Sequence, residues 1–218
     1  MGARVLGNSV QVEVWMDVVC PWCYIGRRRF ERAVHESSHR DDVEIVYRSF
    51  ELEPEAPPEA RPLVADALTE KYGISRAEAE EANARVTEIA QQEGLEFHLE
   101  RALRTNTLDA HRLLQLAGIR RIRPAVEERF QRAYFTEGED LYDPVALLRL
   151  STEAGLKESD ARRVLAGQAF TLQVRKDEQE ARSLGAEGVP FFVFDRRETI
   201  SGAQPTESFR RALSAMPP

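Results

Sequence analysis

Cysteine is scarce in this chain: there are two in 218 residues, both inside Cys20-Pro21-Trp22-Cys23. No third thiol competes for either one, which excludes a multi-disulfide framework of the kind that staples small secreted domains. Long apolar runs are missing as well. The longest strongly apolar stretch, Val189 to Phe194, falls far short of the roughly 20 residues of a membrane-spanning helix. Met1 to Val10 lacks the apolar core of a signal peptide. A cytoplasmic location with no membrane partner is therefore expected, and in a reducing compartment a single cysteine pair is expected to cycle rather than to act as a staple. Positive charge is not in surplus either. The formal net charge of −7 argues against nucleic acid as a partner. No fixed-period self-similarity is present, so a repeat array is excluded. What is there, 42% hydrophobic and 31% charged residues, suffices for one large domain or one domain carrying an insertion.

The Cys20–Cys23 motif stands where an extended segment, Val10 to Met16, gives way to a helical pattern with Gly26, Phe30, Ala33 and Val34 on one face. A strand-to-helix junction has a chemical consequence. The first helical turn offers unpaired backbone N–H groups and the positive end of the helix dipole, both of which favour a thiolate. Pro21 suits the first helical position, where its missing N–H costs no hydrogen bond. Cys23, three residues on, lies on the same helical face as Cys20 and within disulfide reach. The expected arrangement is an exposed, low-pKa nucleophile at Cys20 and a more buried resolving thiol at Cys23. A CxxC ahead of a βαβ pattern reads as a dithiol redox site.

Two other readings compete, a pair of structural cysteines, for which Pro21-Trp22 between them has no packing reason, and a zinc site. Cys20-x2-Cys23 followed by His35-x3-His39 approaches zinc-finger spacing. One helix from Pro21 to Glu36 would, however, separate sulfurs from imidazoles by on the order of 20 Å, so no zinc or other metal is expected. Arg27, Arg28, Arg29 and Arg32 follow the motif directly. They could favour a thiolate or an anionic substrate such as glutathione, or simply form the solvated face of the helix.

Taken in order, the chain reads as a strand at 10–16, a helix at 21–37 and a strand at 43–49, a crossover that makes the two strands parallel. The prolines 54, 57, 58 and 62 form a stiff linker leaving the core. From there to about Gly185 every periodic segment is helical. Helices are expected from Pro62 to Gly73, from the capping box Ser75/Glu78 to Gly94, from Asn106 or Thr107 to Gly118, from Pro124 to Gly138, from Asp143-Pro144 to Gly155, over 159–165 and over 169–184. Strand character returns at Val189 to Phe194 and Thr199 to Ser201, and a last helix runs from Pro205 to Ala215. The expected division is a discontinuous α/β core, 1–56 with 168–218, and a helical insertion at 57–167.

This order resembles a thioredoxin fold with the large all-helical insertion of the DsbA family. Within that family the chain is similar to the FrnE-like branch. The blocks that carry the resemblance are Asp17-Val18-Val19-Cys20-Pro21-Trp22-Cys23-Tyr24-Ile25-Gly26, Tyr47-Arg48-Ser49-Phe50-Glu51-Leu52, Asn106-Thr107 with Ala110-His111, and Gly188-Val189-Pro190-Phe191-Phe192-Val193 leading to Ile200-Ser201-Gly202-Ala203-Gln204-Pro205. The resemblance implies a thiol-disulfide oxidoreductase or disulfide isomerase, with Cys20 attacking, Cys23 resolving and Pro190 as a cis-proline facing both. Substrate contacts are expected at Pro21, Trp22, Val189, Asn106, His111, Ser201 and Gln204. The expected substrates are thiol- or disulfide-containing proteins or small molecules. The redox group is the Cys20–Cys23 disulfide itself, with no tightly bound cofactor and glutathione as a candidate co-substrate.

Two positions depart from the family pattern. Val14 stands where thioredoxin and DsbA sequences carry a buried carboxylate, which leaves Asp17 as the candidate proton acceptor for Cys23. Glu53 stands where the FrnE-like branch often has asparagine. Kappa-type glutathione transferases and 2-hydroxychromene-2-carboxylate isomerases are similar in carrying the same insertion, but they usually replace the first cysteine by serine and lack the second. A non-catalytic binding module using the groove between core and insertion is the third alternative. The sequence carries no signal for oligomeric state.

Overall fold

The computed structural model describes residues 10–38, 40–56 and 61–216. Strand β1 (Val10–Met16) pairs in parallel with β2 (Val43–Ser49) and antiparallel with β3 (Phe191–Phe194), and β3 pairs antiparallel with the edge strand β4 (Glu198–Ser201), giving the order β2-β1-β3-β4. The crossover from β1 to β2 is made by α1 (Pro21–Glu36) and a 3-10 turn at Arg40–Asp42. The helices α2 (Val64–Tyr72), α3 (Arg76–Gln92), α4 (Leu108–Ile119), α5 (Arg123–Arg132), α6 (Pro144–Glu153), α7 (Glu158–Leu165) and α8 (Thr171–Ser183) come next, and α9 (Thr206–Ala215) follows β4. This is a thioredoxin fold with a helical insertion.

Alternation along β1 sends Val10, Val12, Val14 and Met16 to one face of the sheet and Trp15 to the other. On the first face they meet Phe30 of α1 and Phe209 and Leu213 of α9, with the Phe30, Phe192 and Phe209 ring centroids 4.7–5.7 Å apart. On the second face Trp15 packs with Phe50, Phe191 and Ala181 of α8, and its indole N–H donates to the carbonyl of Asp177 at 2.8 Å. The insertion has its own larger core around Leu113, Leu114, Phe130, Phe135 and Leu147. Val18, Tyr24 and Ile25 beside the cysteines also belong to it. Helix α1 is thus clamped between two cores, a position that holds its N-terminus in place.

Helix starts and stops follow the capping residues. Ser75 and Glu78 form the reciprocal capping box of α3, the carboxylate of Asp143 accepts the N–H of Val145 at 2.9 Å to open α6, and Gly73 and Gly138 close their helices in the left-handed conformation. Two expectations need correction. Helix α2 begins at Val64, not Pro62, because the carbonyl of Pro62 accepts the N–H of Arg104 (2.9 Å) and the N–H of Val64 donates to the carbonyl of Ala102 (2.8 Å) in a short antiparallel bridge. The helix expected to run unbroken to Gly138 widens after Arg132 into a π-helical turn, Ala133–Glu137, which buries Tyr134 and Phe135.

The arginine cluster after the cysteines is also corrected. Neither a thiolate partner nor a free solvated face describes it. Arg27 is buried against Glu31 (2.7 Å), Glu128 (3.5 Å) and the side-chain carbonyl of Gln131 (3.3 Å), Arg28 pairs with Glu128, and Arg29 and Arg32 share Glu93. The reason is that the insertion supplies carboxylates, on α5 and at the end of α3, opposite this stretch of α1. A second polar seam joins insertion to sheet, where the amide of Gln115 donates to Ser49 Oγ (3.1 Å) and to the Asp177 carboxylate (2.6 Å).

Candidate active site

Cys20 is the N-cap of α1, with Pro21 at the first helical position. Its sulfur accepts the backbone N–H of Cys23 at 3.3 Å and lies 3.6 Å from the carbonyl oxygen of Val189. Both cysteines are free thiols. Both are buried, Cys20 retaining 3% of its surface and Cys23 none, which corrects the expectation of an exposed Cys20: the loop at Val189 closes over its sulfur. Burial pushes the Cys23 thiol well above its ordinary range. Its hydrogen bond to the Cys20 sulfur, the charge of Cys20 and the Asp17 carboxylate push in the same direction, and only the backbone of Asp17 pulls the other way.

The Val189-Pro190 peptide is cis, as the family pattern implied. Pro190 presses on α1 at Gly26, where an added Cβ would come within 3.0 Å of Pro190 Cγ and 3.2 Å of Ala203 Cα. Only glycine lets the helix and this loop approach so closely. Val189 touches both the α1 side and the α8 side of the sheet.

Above the sulfur opens a cavity of about 660 Å³. Its floor is Asp17, Val19, Cys20, Pro21 and Val189, and Trp22 stands in its wall with 39% of its surface exposed. The opposite wall comes from the insertion: Val64, Leu68 and Tyr72 of α2 with Val86 and Ile89 of α3. Lys71 and Arg104 reach in and both pair with Glu53, so the carboxylate that departs from the family pattern is neutralised locally.

The expected site residues divide into two groups. Cys20, Pro21, Trp22, Asp17 and Val189 line the cavity, whereas Cys23 is buried in the core with Cys20 and Pro190 lies against Gly26 of α1. Asn106, His111, Ser201 and Gln204 are not among its described lining residues. Asn106 is a structural tie, since its side-chain oxygen caps α4 through the N–H of Leu108 (3.0 Å) while its side-chain nitrogen donates to the carbonyl of Pro54 (3.1 Å). His111 is wholly enclosed, with Nε2 3.2 Å from Asp17 Oδ1. Ser201 stands opposite Phe191 on the edge strand, its carbonyl accepting the exposed Gln204 amide at 3.0 Å.

Val14 is fully buried opposite Phe192 and leaves no carboxylate behind the dithiol at that depth. Asp17 supplies one from three residues further on. It keeps 1% of its surface, with Oδ2 accepting the N–H of Leu52 (2.8 Å) and Oδ1 facing His111. The α2 and α3 wall escaped the sequence reading because Val64, Leu68, Val86 and Ile89 carry the ordinary periodicity of a helix core. Among the described residues no group of three or more His, Cys, Asp or Glu is arranged to hold a metal, and His39 lies outside those residues. No helix among them is long and apolar enough to cross a membrane.

A CxxC pair capping the first helix of a thioredoxin fold, beside a cis-proline and under a helical insertion, defines a dithiol of the DsbA class. The chain belongs to the DSBA-like thioredoxin domain family, whose pattern matches residues 11–214. It is similar to the probable DsbA oxidoreductase SCO1869 from Streptomyces coelicolor, at 41% identity over 96% of this chain and 92% of the other, with a TM-score of 0.92. Its fold is also similar to that of the cytosolic disulfide reductase DsbM from Pseudomonas aeruginosa, solved with GSH (19% identity, 94% and 97% of the chains, TM-score 0.64). A 2-hydroxychromene-2-carboxylate isomerase shares it to the same degree (16% identity, 94% of each chain, TM-score 0.65).

Proposed function

We propose that this chain is a thiol-disulfide oxidoreductase or disulfide isomerase of the FrnE-like branch, acting in the cytoplasm on thiol- or disulfide-containing proteins or small molecules. The observation that carries this reading is the asymmetry of the two free thiols. Both are buried, but Cys20 lines the cavity floor, whereas Cys23 does not line it and has no exposed surface.

In this reading the Cys20 thiolate attacks a substrate disulfide. One substrate sulfur leaves with the bonding electron pair and takes a proton from water, and a mixed disulfide on Cys20 remains. Cys23 then loses its proton, for which Asp17 is the proposed acceptor, and attacks Cys20 Sγ. The bond to the substrate breaks, and the second substrate sulfur leaves. The substrate has gained two electrons and the enzyme holds a Cys20–Cys23 disulfide, which a small thiol such as glutathione returns to the dithiol. Run in reverse, the same steps oxidise a client. Pro21, Trp22 and Val189 flank the attacking sulfur and are the proposed substrate contacts, with Pro190 fixing the loop that carries Val189. The DsbM name and its bound GSH support a cytosolic, glutathione-linked role.

The fold alone does not choose between this chemistry and glutathione-dependent isomerisation, since both kinds of protein share it. The second thiol chooses, because a resolving cysteine is useful only for releasing a mixed disulfide. Cys20→Ser should abolish glutathione-supported reduction of insulin, and Cys23→Ser should accumulate a mixed disulfide on Cys20 visible by intact-mass spectrometry. Undiminished insulin reduction by Cys20→Ser would overturn the assignment.

A further inference from the structure

The cavity over Cys20 is larger and more apolar than contact with one sulfur requires. Its volume of about 660 Å³ lies within the range of about 300–1,000 Å³ in which small-molecule sites fall. Val64 and Leu68 of α2 and Val86 and Ile89 of α3 are only half-buried, and all four line this space. Among the described residues seven large hydrophobic side chains are exposed, and three of them, Trp22, Leu52 and Tyr72, line it as well. Apolar surface kept against water contributes nothing to stability. Its concentration in front of the reactive sulfur points to a ligand that covers it.

The charges on the same walls are already matched to one another. Asp17, Glu53, Lys71, Arg85 and Arg104 are the charged side chains among the described lining residues. Glu53 Oε1 accepts from Lys71 Nζ at 3.3 Å, and its Oε2 accepts from Arg104 Nε. Arg85 is paired with Glu81 at 2.5 Å. Each of these cations therefore has a carboxylate of its own chain, and the floor beside Cys20 adds the buried carboxylate of Asp17. An anionic ligand would have to break the Glu53 pairs to gain a cation, and it would meet Asp17 at the reacting end. A neutral apolar body meets neither obstacle.

Resting on the dithiol role proposed above, we propose that this cavity takes a low-molecular-weight disulfide with an uncharged apolar body, aromatic or branched aliphatic, and that Glu53 selects it over anionic disulfides such as that of glutathione. The body covers Trp22 and the α2 and α3 wall, and its disulfide meets Cys20 Sγ. The Cys20 thiolate attacks one sulfur, and the other leaves with the bonding electron pair and takes a proton from water. Cys23 then displaces the remaining sulfur, whose new proton balances the one Cys23 loses. The ligand has gained two electrons, and the enzyme holds the Cys20–Cys23 disulfide. Glutathione, as the thiol that returns the dithiol, needs only to reach Cys20 Sγ and takes no place on the apolar wall. An extended protein segment relies instead on main-chain partners, and the Val189 carbonyl at this site already faces the Cys20 sulfur at 3.6 Å.

Single-turnover oxidation of the reduced full chain tests the selection with three disulfides: neutral 4,4′-dipyridyl disulfide, dithiobis(nitrobenzoate), which carries a carboxylate on each of two similar rings, and glutathione disulfide. Acid quench and maleimide labelling count the thiols that remain, and dividing each rate by that of dithiothreitol corrects for the disulfide's own reactivity. The wild type should favour the dipyridyl compound over both anionic ones by about tenfold or more. Glu53→Gln releases Lys71 and Arg104 and should raise the ratio of dithiobis(nitrobenzoate) to dipyridyl rates by about tenfold. Leu68→Gln makes the wall polar and should lower the ratio of dipyridyl to glutathione disulfide rates by a similar factor. Near-ultraviolet circular dichroism checks folding, and either variant suffices if the other fails to fold. A wild type without preference among the three overturns the proposal, as does an unchanged ratio in a folded variant. Faster oxidation by an unfolded, disulfide-bonded polypeptide than by the dipyridyl compound, on the same scale, would overturn it in favour of a protein client. If Cys20→Ser is oxidised as fast as the wild type by every disulfide, it is the dithiol role itself that falls.

Discussion

Raising the pH should destabilise the reduced protein through Cys23 in a way that a single substitution can isolate. The thiol is fully enclosed, and burial, the Cys20 sulfur and Asp17 all raise it well above its ordinary range. An unfolded cysteine ionises near pH 8.5. Between that pH and the higher native value, the folded state holds a proton that the unfolded state has lost. The sign follows from linkage: the stabilisation is fully present below about pH 8.5 and is lost as the pH climbs toward the native value. One group contributes a slope of up to about 1.4 kcal/mol per pH unit across that window. Tyr24, Tyr47 and Tyr134 are raised above the ordinary phenol range by burial too. Their losses are common to wild type and Cys23→Ala and cancel in the comparison. The assay is urea unfolding of both proteins under a phosphine reductant at half-unit pH steps from 7 to 10.5. Cys23→Ala should start lower, because it leaves a cavity, and the gap should narrow above about pH 8.5 with a slope of up to about 1.4 kcal/mol per pH unit. Curves that stay parallel would refute the burial argument.

Two further substitutions test the packing that positions the site. Phe30→Ala removes the ring that meets Phe192, Phe194 and Phe209 and should cost about 3–5 kcal/mol in urea unfolding; a loss under 1 kcal/mol would mean that the sheet and α9 do not depend on that contact. Gly26→Ala should destabilise by about 1 kcal/mol despite the helix preference for alanine, since its Cβ meets Pro190 and Ala203 at 3.0–3.2 Å. Gly118→Ala, whose Cβ meets nothing nearer than 4.0 Å, should instead gain up to about 1 kcal/mol. Equal effects at the two glycines would contradict the close approach of α1 to the Pro190 loop.

Local chemistry made much of this protein readable from residues alone. The bounds of β1 and β2, the helix opened by Cys20 and Pro21, the Ser75 and Glu78 box, the Asp143 cap and the hairpin after Pro190 are written in nearest-neighbour preferences. Periodicity, capping and proline geometry act over a few residues and survive without knowledge of the fold. The dithiol was legible for the same reason, since its two sulfurs are three residues apart.

Tertiary structure decided what depends on residues far apart in the chain. The arginines after Cys23 read as a wet surface before a substrate site, until α3 and α5 brought Glu93 and Glu128 against them. Asn106 and His111 both stood in one family block, yet packing made the first a cap and the second the enclosed partner of Asp17. Glu51 stood in another family block without a role, and its carboxyl acquires its character only from the burial and charges around it. Electrostatic coupling and burial depend on three-dimensional separation, here between residues 17, 51 and 111, and no one-dimensional pattern encodes that separation.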